Sequence, residues 1–224
     1  ESAPLLYNTT QLLIAASEKL DWDAEKTKKI LQSIYEKGYV SYPRTSSEHV
    51  TEDMKDEITE TLKKLLTLPD FSGYAPDEWA EYTSRHFDNS KVGSHTAIIP
   101  TTKVPENIDD EDEKQLYALI AKSIIRIIHP KAEIDNTTVI IQVDNKHDFK
   151  AKGSVITVKG WYSVDAMPEN KLLPVLTEGQ QLNGEYELKQ GETQPPKRYT
   201  EAELLAAMEL AGQKLEDEEA RTLL

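Results

Sequence analysis

The sequence predicts an α+β protein in which helices come first and strands follow. Three observations predict this order. Apolar residues recur at helical spacing to about residue 131, β-branched residues alternate from there to about residue 195, and a helical pattern then returns. We therefore expect a mainly helical domain at 1–131, a small antiparallel strand-rich segment at 132–195 and a short helical piece at 196–224.

Capping residues mark the first two predicted helices. Thr9 or Thr10 is expected to cap the first helix, because side-chain oxygens at that position accept hydrogen bonds from free backbone N–H groups. Asp23 is expected to cap the second, and Gly38 to end it, since glycine adopts the left-handed conformation that often closes a helix.

Two further long helices and one short helix are predicted in the same domain. Apolar spacing indicates a helix over 54–66, and a short helix is expected around Trp79. The acidic run at 109–113 precedes a long apolar-periodic segment. Carboxylates in a first turn complement the helix dipole, so we interpret this run as a helix start and not as a metal site.

The strand-rich segment contains four short predicted strands. Residues 137–143 alternate, 149–151 and 155–158 are expected to pair with each other around Gly153, and 181–188 forms a last strand. Two prolines then interrupt the chain before Thr200, which is expected to cap a helix whose apolar residues are Leu204, Leu205, Met208 and Leu210.

Composition excludes several classes of protein. The 224 residues are 38% hydrophobic and 29% charged, without an apolar run long enough to span a membrane. The absence of cysteine excludes disulfides, thiolate metal sites and cysteine nucleophiles. A net charge of −14 argues at first against a nucleic-acid partner, because such proteins usually carry a basic surface. Because the chain starts at Glu1 and stops within a charged helical pattern, we expect a piece of a longer protein.

Two short segments contain the residues best suited to chemistry. In 38–47, Pro43 disfavours helix at Tyr42, so the turn presents this tyrosine beside Arg44 and several hydroxyls. In 93–102, His95 lies among small and hydroxyl residues before an apolar run that ends at Pro100. Taken singly, each segment is also compatible with a structural tyrosine, a surface arginine and a structural histidine.

Together, the two segments closely resemble one family. Residues 42–45 (YPRT) and 94–101 (SHTAIIPT), in this order and about 50 residues apart, resemble the cleavage core of type IA DNA topoisomerases, and their form is similar to the topoisomerase III branch. Further stretches that resemble the family are 4–12 (PLLYNTTQL), 160–161 (GW) and 195–202 (PPKRYTEA). The resemblance covers nearly the whole chain.

This resemblance implies a function and a set of site residues. Enzymes of the family cleave single-stranded DNA through a 5′-phosphotyrosine, pass another strand through the gap and reseal it without ATP. By resemblance, Tyr42 is the nucleophile, Arg44 a phosphate clamp and His95 an imidazole that contacts the scissile or an adjacent phosphate. By resemblance, the hydroxyls of Ser41, Thr45 and Ser94 are expected to contact DNA. The basic pair Lys197 and Arg198 is expected to do the same.

The resemblance also implies what this chain lacks. In the family, an N-terminal domain binds Mg²⁺, so Mg²⁺ is expected in the full-length enzyme and no cofactor in this fragment, which is predicted to be inactive alone. No metal site is assigned to the acidic runs 109–113 and 216–219. Ser46 stands where the family usually has an acidic residue. If that carboxylate normally orients Arg44 or helps to close the gate, this chain must rely on another group or tune cleavage differently. By resemblance, 132–195 is part of the family's strand-rich arm, which is expected to be incomplete here, and 196–224 is the truncated start of its base domain. A helicase is expected as a possible partner, and the bacterial cytoplasm and nucleoid are the expected location.

Local charge reconciles the acidic composition with DNA. Residues 21–45 contain five basic and four acidic residues, and 84–103 contain three basic residues and one acidic, so the balances are +1 and +2. A narrow, locally basic path is therefore compatible with an acidic average.

Two alternatives remain open from the sequence. A tyrosine recombinase also acts on DNA with tyrosine, arginine and histidine, but it forms a 3′ link and carries its nucleophile downstream of most of its arginines. The second alternative is a non-catalytic module that binds single-stranded DNA and in which Tyr42 is structural.

Overall fold

A computed structural model describes residues 1–184, 187 and 189–209. Helices fill the first part of the chain, one two-stranded antiparallel sheet follows, and a last helix returns to the helical part. The α+β class is therefore confirmed. The elements are α1 (Thr9–Leu20), α2 (Ala24–Glu36), α3 (Lys55–Leu65), α4 (Glu111–Ile125), β1 (Glu133–Val143), β2 (His147–Val158) and α5 (Glu201–Glu209).

The start of α1 differs by one residue from the prediction. Asn8 is the N-cap, and its side-chain oxygen accepts a 2.7 Å hydrogen bond from the backbone N–H of Gln11. Thr9 already lies inside the helix, and its hydroxyl bonds to a different segment. For α2, Asp23 is the N-cap as predicted, and Gly38 follows the helix with a φ of +76°.

The third helix forms where predicted, but the short helix does not. A 3-10 turn at Glu52–Met54 leads into α3. Around Trp79 the chain is irregular, and the nearest helical turn is Ser72–Tyr74. Pro76 lacks an N–H and disfavours helix in the residue before it, and tertiary contact then decides the path: the Ala80 N–H donates to the Ile128 carbonyl at 2.8 Å.

The core of the helical part surrounds α4. This helix is capped by Asp110, carries three acidic residues in its first turn as expected, and packs against α1, α2 and α3. Its apolar residues are buried on more than one face, so α4 is the central helix of the fold. Large side chains with less than 2% exposure come from every helix of this part and include Leu12, Leu31, Ile34, Ile58, Leu62, Leu65, Leu116, Ile120 and Ile124.

The sheet is a single hairpin, which corrects the predicted strand pairing. β2 runs without interruption through Gly153, which pairs with Thr137 of β1, so 149–151 and 155–158 belong to one strand. The turn is instead Asp144–Asn145, whose φ values of 54° and 52° are those of a type I′ hairpin turn. A Cβ on Gly153 would lie 2.7 Å from the Lys171 carbonyl oxygen, so glycine here permits close approach of a neighbouring segment.

The last predicted strand is not seen. Residues 181–184 and 187 have no strand structure, and residues 185, 186 and 188 lie outside the described part of the chain. Strand β2 has a different neighbour, an isolated bridge between Ser154 and Lys171. Alternation of apolar residues was therefore insufficient to place a strand at 181–188.

The base of the hairpin is joined firmly to the helical part. Gly160 has a φ of +50°, and a Cβ there would lie 2.5 Å from the Pro130 carbonyl oxygen. The Trp161 N–H donates to that carbonyl at 3.1 Å. Asp165 pairs with the buried Arg126 guanidinium at 2.6 Å. Burial alone would raise the pKa of Asp165, but Arg126 and Lys19 overcome it and hold that pKa below its usual value.

Helix α5 begins as predicted and packs on α1. Thr200 and Glu203 form reciprocal backbone hydrogen bonds, the pattern known as a capping box. The carboxylate of Glu201 accepts from the Ala24 N–H at 3.0 Å, which places the start of α5 beside the start of α2. Leu210, part of the predicted apolar face, and the acidic run 216–219 lie outside the described residues.

No helix in the described part of the chain is both long enough and apolar enough to cross a membrane.

Candidate functional site

The two segments singled out from the sequence lie side by side. After Gly38 the chain leaves α2 and runs antiparallel to the segment that follows His95, with a bridge between Val40 and Pro100. The Ser41 N–H donates to the Ile99 carbonyl at 2.8 Å. Residues about 56 positions apart in sequence are thereby held in one register, and Tyr42 comes next to His95.

The side chain of Ser41 reinforces this register. Its hydroxyl donates to the Ala97 carbonyl at 3.0 Å and accepts from the Ile99 N–H at 3.0 Å. Both hydrogen-bonding functions of the hydroxyl are thus used within the protein. The residue predicted to contact DNA connects the two halves of the site.

Three aromatic rings meet at Tyr42. The His95 ring lies 4.2 Å from the Tyr42 ring, centroid to centroid, and is tilted by 36°. The Tyr35 ring, from the last turn of α2, meets Tyr42 edge-on at 5.6 Å and 81°. Because Tyr42 is half-buried between these rings and His95 is exposed, the phenol side chain is held while the imidazole faces solvent.

Arg44 projects from the same turn. It is exposed, and within the described residues its guanidinium has neither a hydrogen-bond acceptor nor an ion-pair partner. Ser46, at the position where the family usually has an acid, is also exposed. A guanidinium that has no internal carboxylate keeps its five N–H donors available for an anion such as a phosphate.

Thr45 closes the turn. Its hydroxyl donates to the His95 carbonyl at 3.3 Å and accepts from the Ser47 N–H at 3.1 Å. Ser94, the residue before His95, is exposed at the surface of the neighbouring segment. Thr45 therefore contributes to the joint between the segments, while the Ser94 hydroxyl faces solvent.

Among the described residues, Lys197 and Arg198 make no contact with this cluster. Both are exposed and precede α5, whose first turn lies beside Ala24 at the start of α2. The 13 residues of α2 separate that end from Tyr42, a distance of about 20 Å at 1.5 Å per residue. The start of α5 therefore lies at the end of α2 that is remote from the tyrosine.

The basic residues counted near the motifs are mostly engaged within the protein. Lys37 pairs with the buried Glu113 of α4, and its pKa is raised chiefly by this hydrogen bond. The Lys103 ammonium donates to the Lys37 carbonyl at 2.7 Å. Of the eight basic residues counted in 21–45 and 84–103, those without a hydrogen bond or ion pair among the described residues are Arg44, Lys28 and Lys29.

Three other histidines serve the fold. His86 and His129 are buried and bond through Nε2 to the carbonyls of Pro4 and Tyr74. Burial lowers the pKa of both, and burial together with Lys91 lowers the pKa of His49. Of these residues and His95, only His95 lies beside Tyr42, which separates it from the structural histidines.

The acidic residues do not form a metal site in the described part of the chain. No group of three His, Asp or Glu side chains there is arranged to hold an ion. In the run 109–113, an Asp110 oxygen caps α4, and Glu113 binds Ser33 and Lys37. These carboxylates are already satisfied by the fold, so they do not fit a Mg²⁺ site.

The N-terminal segment completes the site, a feature that sequence reasoning missed. The Ile98 N–H donates to the Tyr7 carbonyl at 2.8 Å, and the Thr9 N–H donates to the Thr45 carbonyl at 3.0 Å. From the sequence, the stretch 4–12 only resembles the family. The order of the motifs along the chain, which matches that of the family, was the signal that could have linked this stretch to the site.

Comparison with known proteins agrees with this geometry. A family model described as DNA topoisomerase matches residues 1–212. The chain belongs to the DNA topoisomerase family. It is 31% identical over 225 residues to DNA topoisomerase 1 of Alkalihalophilus pseudofirmus, covering 98% of this chain and 32% of that protein. It is 32% identical over 241 residues to DNA topoisomerase 3 of Bacillus subtilis, covering 97% and 32%.

A solved structure shares the fold. Full-length topoisomerase I of Thermotoga maritima matches with a TM-score of 0.62 and 23% identity, over 94% of this chain and 35% of that one. The resemblance to type IA topoisomerases is thus confirmed at the level of family and fold. The chain spans about a third of the length of these relatives, and proteins named topoisomerase 1 and topoisomerase 3 match at similar identity.

Proposed function

We propose that this chain is the tyrosine-bearing part of an ATP-independent type IA DNA topoisomerase of the topoisomerase III-like branch, and that Tyr42 is its nucleophile. The observation that carries the proposal is the cluster around Tyr42: its ring is 4.2 Å from that of His95, and Arg44 is exposed two residues later. A phenol, an imidazole and an unpaired guanidinium are suited to attack on a phosphodiester.

The proposed reaction conserves the energy of the DNA backbone. The Tyr42 hydroxyl oxygen attacks phosphorus and loses its proton, the bond from phosphorus to the 3′ oxygen breaks, and that oxygen takes a proton. The products are a 5′-phosphotyrosine and a free 3′-hydroxyl. Attack by the hydroxyl on the phosphotyrosine reverses the step, so one phosphoester replaces another and no nucleotide is consumed.

Arg44 and His95 act on the phosphate in this proposal. Charge develops on the non-bridging oxygens during attack, and a guanidinium can hold two of them at once. The His95 imidazole, next to the Tyr42 ring, donates to the scissile or adjacent phosphate. A free phenol has a pKa of about 10 and is only about a thousandth ionised at pH 7, so positive charge at the phosphate assists its reaction.

Mg²⁺ belongs elsewhere in the enzyme under this proposal. In the acidic run 109–113, Asp110 caps α4 and Glu113 pairs with Lys37. The ion and its ligands would come from a separate metal-binding region, and the 224-residue chain alone would not relax supercoiled DNA. Single-stranded DNA is the substrate, with Arg44, Ser94 and the pair Lys197–Arg198 as its proposed contacts.

The test uses the full-length enzyme and a short single-stranded oligonucleotide labelled at its 3′ end. Attack that leaves a 5′-phosphotyrosine transfers the label to the protein, and Tyr42→Phe, which keeps the ring and removes only the hydroxyl, abolishes this adduct. Tyr35→Phe is the matched control and retains it. Adduct formation only with 5′-labelled DNA would indicate a recombinase-like 3′ link. Full relaxation activity of Tyr42→Phe would indicate that Tyr42 is structural.

A further inference from the structure

One hydroxyl from outside the turn contacts the backbone on both sides of Arg44. The Thr9 hydroxyl lies 2.8 Å from the Pro43 carbonyl oxygen and 3.0 Å from the Thr45 carbonyl oxygen, and it accepts a hydrogen bond from the Thr45 N–H at 3.0 Å. The Thr9 N–H also donates to the Thr45 carbonyl at 3.0 Å. The single hydrogen of the hydroxyl lies within reach of both carbonyls, and the three backbone groups around the hydroxyl belong to the residues immediately before and after Arg44.

These contacts fix the backbone on both sides of Arg44. The guanidinium itself has no partner among the described residues, so nothing at its own end determines where it points. Its direction depends on the backbone at Arg44 and on the rotamers this backbone allows. Bonds to Pro43 and Thr45 restrict that backbone and reduce the conformational entropy lost when the arginine clamps an anion.

Thr9 rests on a rigid support. It is the first residue of α1, whose preceding residue, Asn8, caps the helix by accepting from the Gln11 N–H at 2.7 Å. Leu12 and Leu13 of the same helix are buried in the core. The Thr9 hydroxyl can both donate a hydrogen bond to a carbonyl of the turn and accept one from the Thr45 N–H, whereas a methyl group of equal size can do neither.

We propose that Thr9 is a positioning residue that holds Arg44 in the orientation needed to clamp the phosphate attacked by Tyr42. The proposal rests on the proposed function for its catalytic consequence. Thr9 acts through the turn and does not itself touch DNA. Thr10, the next residue of the helix, has no hydrogen bond to this turn and provides a matched control.

The first experiment measures the turn without DNA or activity. In the 224-residue chain, the ¹⁵N relaxation of the Arg44 and Thr45 amides and of the Arg44 Nε reports their mobility. Thr9→Val, which keeps the shape and removes the hydroxyl, is expected to increase this mobility, Thr9→Ser to restore the wild-type values, and Thr10→Val to leave them unchanged. Equal mobility in Thr9→Val and wild type would overturn the proposal.

The second experiment measures adduct formation by the full-length enzyme. Misplacement of a clamp by about 1 Å can cost on the order of a hundredfold in rate, so we expect Thr9→Val to slow cleavage about ten- to a hundredfold at saturating DNA. Thr9→Ser should recover most of this loss. In an Arg44→Ala background, Thr9→Val should change the rate by less than about twofold, since both changes remove the same interaction.

The outcomes separate the two proposals. If the wild-type enzyme forms no tyrosine adduct, the proposed function fails. The ¹⁵N relaxation measurements still decide whether Thr9 orders the turn. If the adduct forms and the losses from Thr9→Val and Arg44→Ala multiply, Thr9 does not act through Arg44. A thermal stability of Thr9→Val that falls no further than that of Thr10→Val shows that any loss of rate is not a loss of fold.

Discussion

The helical part of the molecule and the β1–β2 hairpin are stabilised in different ways. Around α4, large aliphatic side chains from several helices have less than 2% exposure, and the turn of Tyr42 is bonded to this body. In the hairpin only Gly153 is buried, while Ile140 and Phe149 are more than half exposed. Cooperative packing therefore supports the site, whereas the hairpin depends on its backbone ladder, its turn and its joint to the body.

The largest expected effect compares one isoleucine from each region. Ile124→Ala in α4 removes a side chain with no exposure and leaves a cavity, so we expect a loss of about 2–5 kcal/mol in the free energy of unfolding. Ile140→Ala in β1 removes a side chain that is 62% exposed and should cost below about 0.5 kcal/mol. Urea denaturation measures both. Similar losses would contradict the contrast between the regions.

The next effect concerns the joint between the regions. Asp165→Asn removes the carboxylate that pairs with Arg126, whose side chain is only 5% exposed. Leaving a buried charge without its partner costs about 3–5 kcal/mol, and the partial exposure of Asp165 reduces this to about 2 kcal/mol. Glu60→Gln, which breaks the exposed pair with Lys64, is the control and should cost below about 0.5 kcal/mol. Equal midpoints for the two variants would show that the joint contributes little.

The smallest effect is the pH dependence of the helical part. Burial lowers the pKa of His86, so the unfolded state binds more protons than the folded state at pH values below about 6.5. For His86, stability should therefore fall as pH decreases from about 6.5 to about 5.5, by less than about 1.4 kcal/mol. His86→Gln should reduce this pH dependence. Identical slopes in wild type and His86→Gln would refute the assignment.

Features that depend on a few neighbouring residues could be predicted. Asp23, Gly38 and Thr200 marked helix boundaries correctly, because caps are local contacts. The predicted turn at Gly153 is wrong, because Asp144–Asn145, whose residue types also tolerate positive φ, forms the hairpin turn. Gly153 is required by the approach of Lys171, a contact between residues distant in sequence.

The same division applies to the site. The residue types of Tyr42, Arg44 and His95 were identified from two motifs and their resemblance to a family. That Ser41 would hold the two motifs together could not be predicted, because a hydroxyl beside a tyrosine is equally compatible with contact to DNA. The hydrogen bonds between the Thr9 hydroxyl and the turn were also missed, because 36 residues separate Thr9 from Thr45 in the sequence.

Periodicity, capping and short motifs were enough to predict the order of helices and strands, most helix boundaries and the identity of the chemical groups, because each of these depends on a few neighbouring residues. Packing brings the Tyr42 and His95 rings together and leaves the Arg44 guanidinium without a partner among the described residues, and neither result could be read from local patterns. Such contacts depend on how buried helices pack, and packing joins residues that local patterns treat as independent.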